Sequence, residues 1–198
     1  MDDLPEVSIR PPLPGDAEVF VAAVARSREL HHPWVAPWPS VEAYAGWLER
    51  IAARTPHQRM AGFLVRAGDG IAGYVNASEI VRGAFDNAYL GYAAFAPWAG
   101  RGVMRRGLAL VVDRCFAPES AGGLALHRVE ANIQPGNEPS RRLARSLGFR
   151  LEGLSPRYLR IEGAWRDHER YALTAEEWAS PTGYPASSSG GIRKSSSG

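Results

Sequence analysis

The chain has 198 residues, 45% of them hydrophobic, which is long enough for one well-packed domain and short for two. Its net charge of +2 combines 22 arginines and one lysine with 21 acidic residues, so it lacks a lysine-rich arm and we expect no DNA partner. The single cysteine, Cys115, excludes an intramolecular disulfide and a cysteine zinc site. No run of 18 apolar residues occurs, and the residues after Met1 do not resemble a signal peptide, so we expect a cytoplasmic protein with no membrane partner.

The first half of the chain predicts a short strand, two helices and a β-meander. Val7 to Arg10 alternates and can open a sheet. Asp16 is a good N-cap for a helix that we expect to continue to Leu30, and Ser40 caps a second helix. A Gly-Asp-Gly hairpin signal and a later turn then separate three predicted strands, which are Gln58 to Arg66, Ile71 to Ile80 and Ala88 to Phe95.

Between the two helices, a proline-stiffened segment from His31 to Pro39 carries two tryptophans, Trp34 and Trp38. Aromatic residues in such a loop provide contact area at low entropic cost, which is typical of the wall of a substrate cleft. A hydrophobic plug over the sheet explains the same residues. Both interpretations are open from the sequence.

A glycine-containing loop links the strand that ends at Phe95 to an apolar helix that contains Cys115, where the pattern predicts a buried structural thiol. Gly100 and Gly102 let the backbone turn sharply, so that the N–H groups of the helix's first turn can converge on one anion. A Rossmann fingerprint would need a glycine where this chain has Arg105, and no Walker A sequence is present. We interpret the segment as a phosphate-binding loop, with a plain strand-to-helix turn as the alternative.

The second half predicts one more helix and three more strands. His127 to Ile133 alternates cleanly, and Asn137 caps a helix that ends at Gly148. Two strands then complete the order β-α-α-β-β-β-α-β-α-β-β, and these are Tyr158 to Ile161 and His168 to Thr174. We expect one domain over residues 1–179, and a disordered Ser/Gly-rich tail or cloning remnant over residues 180–198.

Several short motifs follow one another in the order found in the GCN5-related N-acetyltransferases (GNAT). In sequence they are Ser78 to Gly83, Leu90-Gly-Tyr92, Leu126 to Ala131, Asn137-Glu-Pro-Ser140, Leu147-Gly-Phe149, Glu152-Gly153 and Gly163 to His168. Together they resemble the RimJ/RimL branch, the ribosomal-protein-alanine N-acetyltransferases, and are closer to RimJ. The resemblance implies an α/β (α+β) GNAT fold, with a mixed, mostly antiparallel sheet of about seven strands flanked by four helices.

The implied activity is transfer of acetyl from acetyl-CoA to the N-terminal α-amine of a protein, plausibly a ribosomal protein that begins with alanine or serine. An α-amine with a pKa near 8 costs about 1.4 kcal/mol to deprotonate at neutral pH and a lysine about 4.6 kcal/mol, so the first needs only a weak base. Two alternatives are a small-molecule N-acetyltransferase acting on a polyamine or antibiotic, and a non-catalytic acyl-CoA-binding or ribosome-assembly factor. No metal is implied, and a monomer or homodimer is expected.

The resemblance also assigns residues to the coenzyme. The coenzyme-binding set runs along the end of one strand, through the loop and into two helices, with the oxyanion expected at a backbone N–H freed near Ala94 or Phe95. Its members are Ala93, Ala94, Phe95, Gly100, Arg101, Gly102, Val103, Met104, Arg105, Asn132, Asn137 and Arg141. Ala99 departs from the polar or basic residue that is usual at the first loop position.

The resemblance assigns the serine of Asn-x-x-Ser, Ser140, to the leaving thiolate, with Tyr158 in reserve. Glu130 and Glu79 are the candidate general bases, although Leu159 stands where a RimL-type enzyme carries a catalytic glutamate. Asp167 and His168 fit either catalysis or a turn-stabilising network. The substrate-binding candidates are Trp34, Trp38 and Tyr92.

Overall fold

The computed structural model describes residues 5–53 and 59–181, so Met1, Gln58 and the predicted tail beyond residue 181 lie outside the described residues. The described strands form one sheet in the order β1-β2-β3-β4-β5-β7-β6, in which β4 and β5 are parallel and every other neighbouring pair is antiparallel. The strands are β1 (Val7–Arg10), β2 (Ala61–Ala67), β3 (Gly70–Val81), β4 (Asn87–Ala94), β5 (Arg128–Ile133), β6 (Arg150–Ile161) and β7 (Ala164–Thr174). The helices are α1 (Ala17–Arg26), α2 (Arg28–His31), α3 (Val41–Ala52), α4 (Val103–Phe116) and α5 (Glu138–Ser146). The predicted fold class is confirmed.

Two apolar clusters hold the helices on opposite faces of the sheet, because successive side chains of a strand point to opposite faces. On one face α4 packs on the sheet through residues such as Val103, Leu108 and Cys115, and burial raises the pKa of the Cys115 thiol to about 12, as expected for a structural thiol. On the other face, α1 and α3 enclose an aromatic cluster centred on Phe20, which lies 5.0 Å from Tyr44 between ring centroids. In the described parts of the chain, no helix is long and apolar enough to cross a bilayer.

The first predicted helix is interrupted at Ser27, which separates α1 from the single turn of α2. The Ser27 hydroxyl donates to the Ala23 carbonyl at 2.7 Å and accepts the Ala96 N–H at 2.9 Å, so a tertiary contact fixes the break. The last two strands are longer than predicted: β6 begins at Arg150 and β7 at Ala164, and a bulge between Ser155 and Leu159 lets the long hairpin bend.

Gly107 allows α4 to approach the sheet, since a Cβ there would lie 2.4 Å from Val65 Cγ1. We expect Gly107→Ala to lower the free energy of unfolding by about 1–3 kcal/mol, because the buried, β-branched Val65 has little room to move. Gly46 in α3 is the matched control, since a Cβ there meets nothing within 4 Å and Gly46→Ala gains helix propensity of about 1 kcal/mol. Urea denaturation of both variants checks the prediction, and a stabilised Gly107→Ala protein would contradict it.

Candidate active site

A cleft opens where the two parallel strands diverge. β4 and β5 pair only over Asn87–Tyr89 with Arg128–Glu130. Beyond that point, β4 stays on β3 as far as Ala94 and β5 stays on β7 as far as Ile133. The two strands therefore separate like the arms of a V and expose backbone groups between them.

The backbone of β4 determines which N–H faces this gap. Phe95 donates its N–H to the Ala72 carbonyl of the β3 side at 2.8 Å. Because N–H groups alternate in direction along a strand, those of Tyr92 and Ala94 point away from β3 and into the gap. The Ala94 carbonyl, on the same side, is bound by His31 Nε2 at 2.8 Å. Of the two N–H groups named from the sequence, only that of Ala94 faces the cleft, while the Phe95 ring is fully buried.

The loop after β4 forms one end of the cleft. Gly100 and Gly102 have φ of +77° and +80°, a region that favours glycine, and Gly102 is the N-cap of α4. The first N–H groups of a helix have no partner within it, so those at the start of α4 are available to an anion that also gains from the helix dipole. Arg105 lines the cleft and donates to the Ser146 carbonyl at 3.3 Å, which ties α4 to α5.

The cleft has a volume of about 690 Å³ and reaches from this loop to the segment after α2. It is lined by eleven of the residues predicted from the sequence: Trp34, Tyr92, Ala93, Ala94, Gly100, Gly102, Met104, Arg105, Asn132, Asn137 and Ser140. Eight predicted residues are not among its lining residues: Trp38, Glu79, Phe95, Arg101, Val103, Glu130, Arg141 and Tyr158. Val103 is fully buried under the loop, so only its backbone is placed to act.

Ser140 lies in the first turn of α5, where the helix start fixes its position. Asn137 accepts the Ser140 N–H at 3.2 Å through Oδ1, as an N-cap does. The Tyr92 hydroxyl donates to the Ser140 carbonyl at 3.4 Å, and burial raises the pKa of Tyr92. Both contacts use the Ser140 backbone, and the Tyr92 hydroxyl also lies within hydrogen-bonding reach of the Ser140 side chain.

The other end of the cleft is bounded by the tryptophan segment. Trp34 lies against Gly136, where a Cβ would be 2.9 Å from Trp34 Cη2, and its carbonyl accepts from Gln134 Nε2 at 3.3 Å. Trp38 instead stacks on Trp47 with ring centroids 4.2 Å apart, in the aromatic cluster. Each of the two interpretations left open by the sequence thus applies to one tryptophan: Trp34 forms a wall of the cleft, and the half-buried Trp38 packs against the core.

Three further candidates do not line the cleft. Glu130 is buried, and its Oε1 accepts from Arg128 Nε at 2.8 Å and from Asn87 Nδ2 at 3.0 Å. Arg141 pairs with Glu169 at 2.8 Å and with Glu138 at 2.7 Å. Glu79 is exposed at a bulge of β3 with φ of +49°.

Sequence reasoning named Leu159 and His168 without assigning them to the site, and it missed other cleft residues of α2 and the long hairpin. Leu30, His31, Leu159, Ile161 and His168 line the cleft. No linear signal marks them as neighbours, because α2 and the long hairpin are far apart in the chain and only the tertiary structure brings them together. Among the described lining residues of this cleft none is an aspartate or glutamate. The end formed by Trp34 and the long hairpin, here called the acceptor end, is mostly apolar.

A mixed sheet that splays between two parallel strands, with a glycine-containing loop and a helix N-terminus after the first of them, is the arrangement expected of the acetyltransferases. The family model described as acetyltransferase (GNAT) domain matches residues 6–150, so this chain belongs to the GNAT family and is an N-acetyltransferase. Among the described residues, no group of three or more metal-ligating side chains occurs.

The comparisons also confirm the resemblance to RimJ. The chain is similar to the [ribosomal protein uS5]-alanine N-acetyltransferase of Escherichia coli strain K12, with 33% identity over 160 residues, 78% of this chain and 80% of that protein. It is similar to Mycobacterium smegmatis RimJ solved in complex with CoA-disulfide, with a TM-score of 0.76, 33% identity and coverage of 86% and 83% of the two chains. The ribosomal-protein-S5-alanine acetyltransferase from Vibrio fischeri gives a TM-score of 0.72, 26% identity and coverage of 89% and 97%.

Proposed function

We propose that the protein transfers the acetyl group of acetyl-CoA to the N-terminal α-amine of a protein, a ribosomal protein beginning with alanine or serine. The observation that carries this proposal is the layout of the cleft, which joins an anion-binding loop at one end to an apolar end without lining carboxylates. The similarity to a uS5-alanine N-acetyltransferase supports the acceptor class.

The residues present fit acetyl-CoA, whose thioester supplies the activated acetyl group. The pyrophosphate would lie on the N–H groups between Gly100 and Arg105, where positive φ and the start of α4 aim several donors at one point. The pantetheine arm would follow the exposed edge of β4 at Tyr92 and Ala94. Arg105 and Arg142, which also line the cleft, would face the phosphates.

Two groups of this chain would serve the acyl-transfer step. The Ala94 N–H, directed into the gap, would donate to the oxyanion of the tetrahedral intermediate. The Ser140 hydroxyl would pass a proton to the leaving sulfur, which is an easy acid-base task because a thiol has an ordinary pKa near 8.5. Tyr158 is less well placed for this role, since it does not line the cleft.

The electrostatics of the cleft favour an α-amine over a polyamine or a lysine side chain. A polyamine keeps further positive charges that need carboxylates when they are desolvated, and the described lining offers none. An α-amine at pH 7 loses its proton at a cost of about 1.4 kcal/mol, against about 4.6 kcal/mol for lysine. The small-molecule alternative therefore has no observation in its favour, and membership of an acetyltransferase family disfavours a non-catalytic factor.

The test is thiol release from acetyl-CoA with a short peptide that begins with alanine. We expect release with the free α-amine, and none with the same peptide blocked at its α-amine but retaining a lysine. Spermidine at equal concentration is the second comparison, and we expect turnover at least tenfold lower with it. Preference for spermidine, or equal rates with both peptides, would contradict the proposed acceptor.

A further inference from the structure

One side chain at the acceptor end of the cleft, that of His168, has both a fixed orientation and a ring nitrogen with an available lone pair. His168 lies on β7 opposite Ser155 of β6, is only 3% exposed and lines the cleft. Its Nδ1 lies 2.9 Å from the Arg166 carbonyl. A carbonyl only accepts hydrogen bonds, so Nδ1 carries the proton and Nε2 keeps its lone pair.

The other titratable residues of the described lining do not offer a comparable base. His31 donates through Nε2 to the Ala94 carbonyl, and its Nδ1 is buried out of reach of a ligand. The Tyr92 hydroxyl donates to Ser140, and Arg105 and Arg142 remain cationic. Glu130, the base expected from the sequence, does not line the cleft and has two donors on one oxygen.

We propose that His168 is the catalytic base that accepts the proton of the acceptor ammonium through Nε2; this assignment rests on the proposed function. An N–H bond of the ammonium breaks, its proton passes to Nε2, and the electron pair stays on the nitrogen. That nitrogen forms the C–N bond with the acetyl carbon, the carbonyl electron pair moves to oxygen to give the tetrahedral intermediate, and the C–S bond breaks as the carbonyl re-forms. A second amine proton passes through Ser140 to the sulfur, and His168 returns its proton to water, so one proton is released per amide formed.

The surroundings of His168 keep it neutral and oriented. Burial lowers its pKa, an effect that the hydrogen bond to Arg166 and the charge of Asp167 partly offset. The Asp167 carboxylate is itself occupied by the Arg157 N–H at 2.7 Å. The Tyr158 ring of β6 lies near the imidazole, with ring centroids 6.2 Å apart. Arg170 lies two residues after His168 on β7. At the rim, His32 and Glu162 approach to 3.8 Å and link the hairpin turn to the tryptophan segment.

The pH dependence of kcat follows from these groups. A base with a lowered pKa is unprotonated at neutral pH, so kcat of the unsubstituted protein should fall only as the pH drops below about 6.5, the ordinary value for histidine. Without the base, turnover depends on the fraction of amine that is already neutral. The pH below which kcat falls, the acidic limb of the profile, should then rise to the pKa of the α-amine, near 8.

The test is His168→Gln with the alanine peptide, followed from pH 5.5 to 9.5. We expect a loss in kcat of up to about tenfold at pH 7, since without the base only about a tenth of an amine with a pKa near 8 is neutral there, and recovery to within about twofold at pH 9.5. The affinity for CoA should not change. His127→Gln is the matched control, because His127 lies outside the cleft at the start of β5 and pairs with Glu176 at 3.2 Å.

An unchanged acidic limb in His168→Gln would overturn the assignment, and so would a loss of equal size at every pH, which indicates a structural role. If the acidic limb of the kcat profile shifts in Glu130→Gln and not in His168→Gln, the catalytic base is Glu130. Failure of the proposed function looks different: the unsubstituted protein itself would release no thiol with the alanine peptide while still binding CoA. That result would remove the acceptor on which this assignment rests.

Discussion

Replacement of Gly102 by aspartate should severely weaken coenzyme binding. Gly102 is the N-cap of α4 with φ of +80°, and its neighbours present the N–H groups proposed for the pyrophosphate. A carboxylate there would lie beside the phosphates, and two like charges about 4 Å apart repel by about 4 kcal/mol at an effective dielectric of 20. We therefore expect affinity for CoA to fall by a hundredfold to a thousandfold, measured by isothermal titration calorimetry.

The control for this prediction is Gly102→Asn, because asparagine has nearly the shape of aspartate and both tolerate positive φ. Backbone strain is then matched, and the pair differs only in charge. The difference in affinity should shrink as salt is raised, since screening weakens the repulsion. If the two variants bind CoA within threefold of each other, the phosphate assignment of this loop is wrong.

Replacement of Ser140 by alanine should lower kcat by about a hundredfold to ten-thousandfold, the usual contribution of a positioned acid-base group. The substitution removes only the hydroxyl. The bond to Asn137 uses the Ser140 N–H and the bond from Tyr92 uses its carbonyl, so both survive. The affinity for CoA and the melting temperature should therefore stay close to those of the unsubstituted protein. Steady-state kinetics of thiol release at saturating peptide give the comparison.

Ser8→Ala on β1, far from the cleft, is the control for the loss of a serine hydroxyl. A Ser140→Ala protein with kcat within threefold of the unsubstituted one would refute the role of this hydroxyl. Tyr158→Phe would then be the next variant, because Tyr158 is the reserve proton donor. Burial and a hydrogen bond donated to Tyr158 raise the pKa of Tyr89 to about 12, so Tyr158 accepts in this contact and keeps its own O–H as a donor.

The sequence determined the features of this protein that depend on near neighbours along the chain. A strand, two glycines and an amphipathic helix in succession produce the loop at Gly100 and Gly102, since positive φ and free N–H groups are local properties. The cap at Asn137 and the position of Ser140 follow from a spacing of three residues. Ordered motifs over most of the chain were enough to predict the family and the fold.

Only the tertiary structure decided which of these residues meet. Strand register directs the Ala94 N–H into the cleft and the Phe95 N–H to the Ala72 carbonyl. The direction of the N–H alternates from one residue to the next along a strand, so composition does not encode it. Glu130 looks like a catalytic carboxylate in the sequence, but the fold places Arg128 and Asn87 on it.

The same is true of the acceptor end of the cleft. Trp34 and Trp38 have similar surroundings in the sequence, yet contacts with Gly136 and Trp47 separate a cleft wall from a residue packed against the core. His168 lies in the cleft because β7 pairs with β5 as far as Glu169, which places the adjacent residue beside the gap. Packing between segments far apart in the chain, rather than local propensity, thus sets the chemistry of the acceptor end.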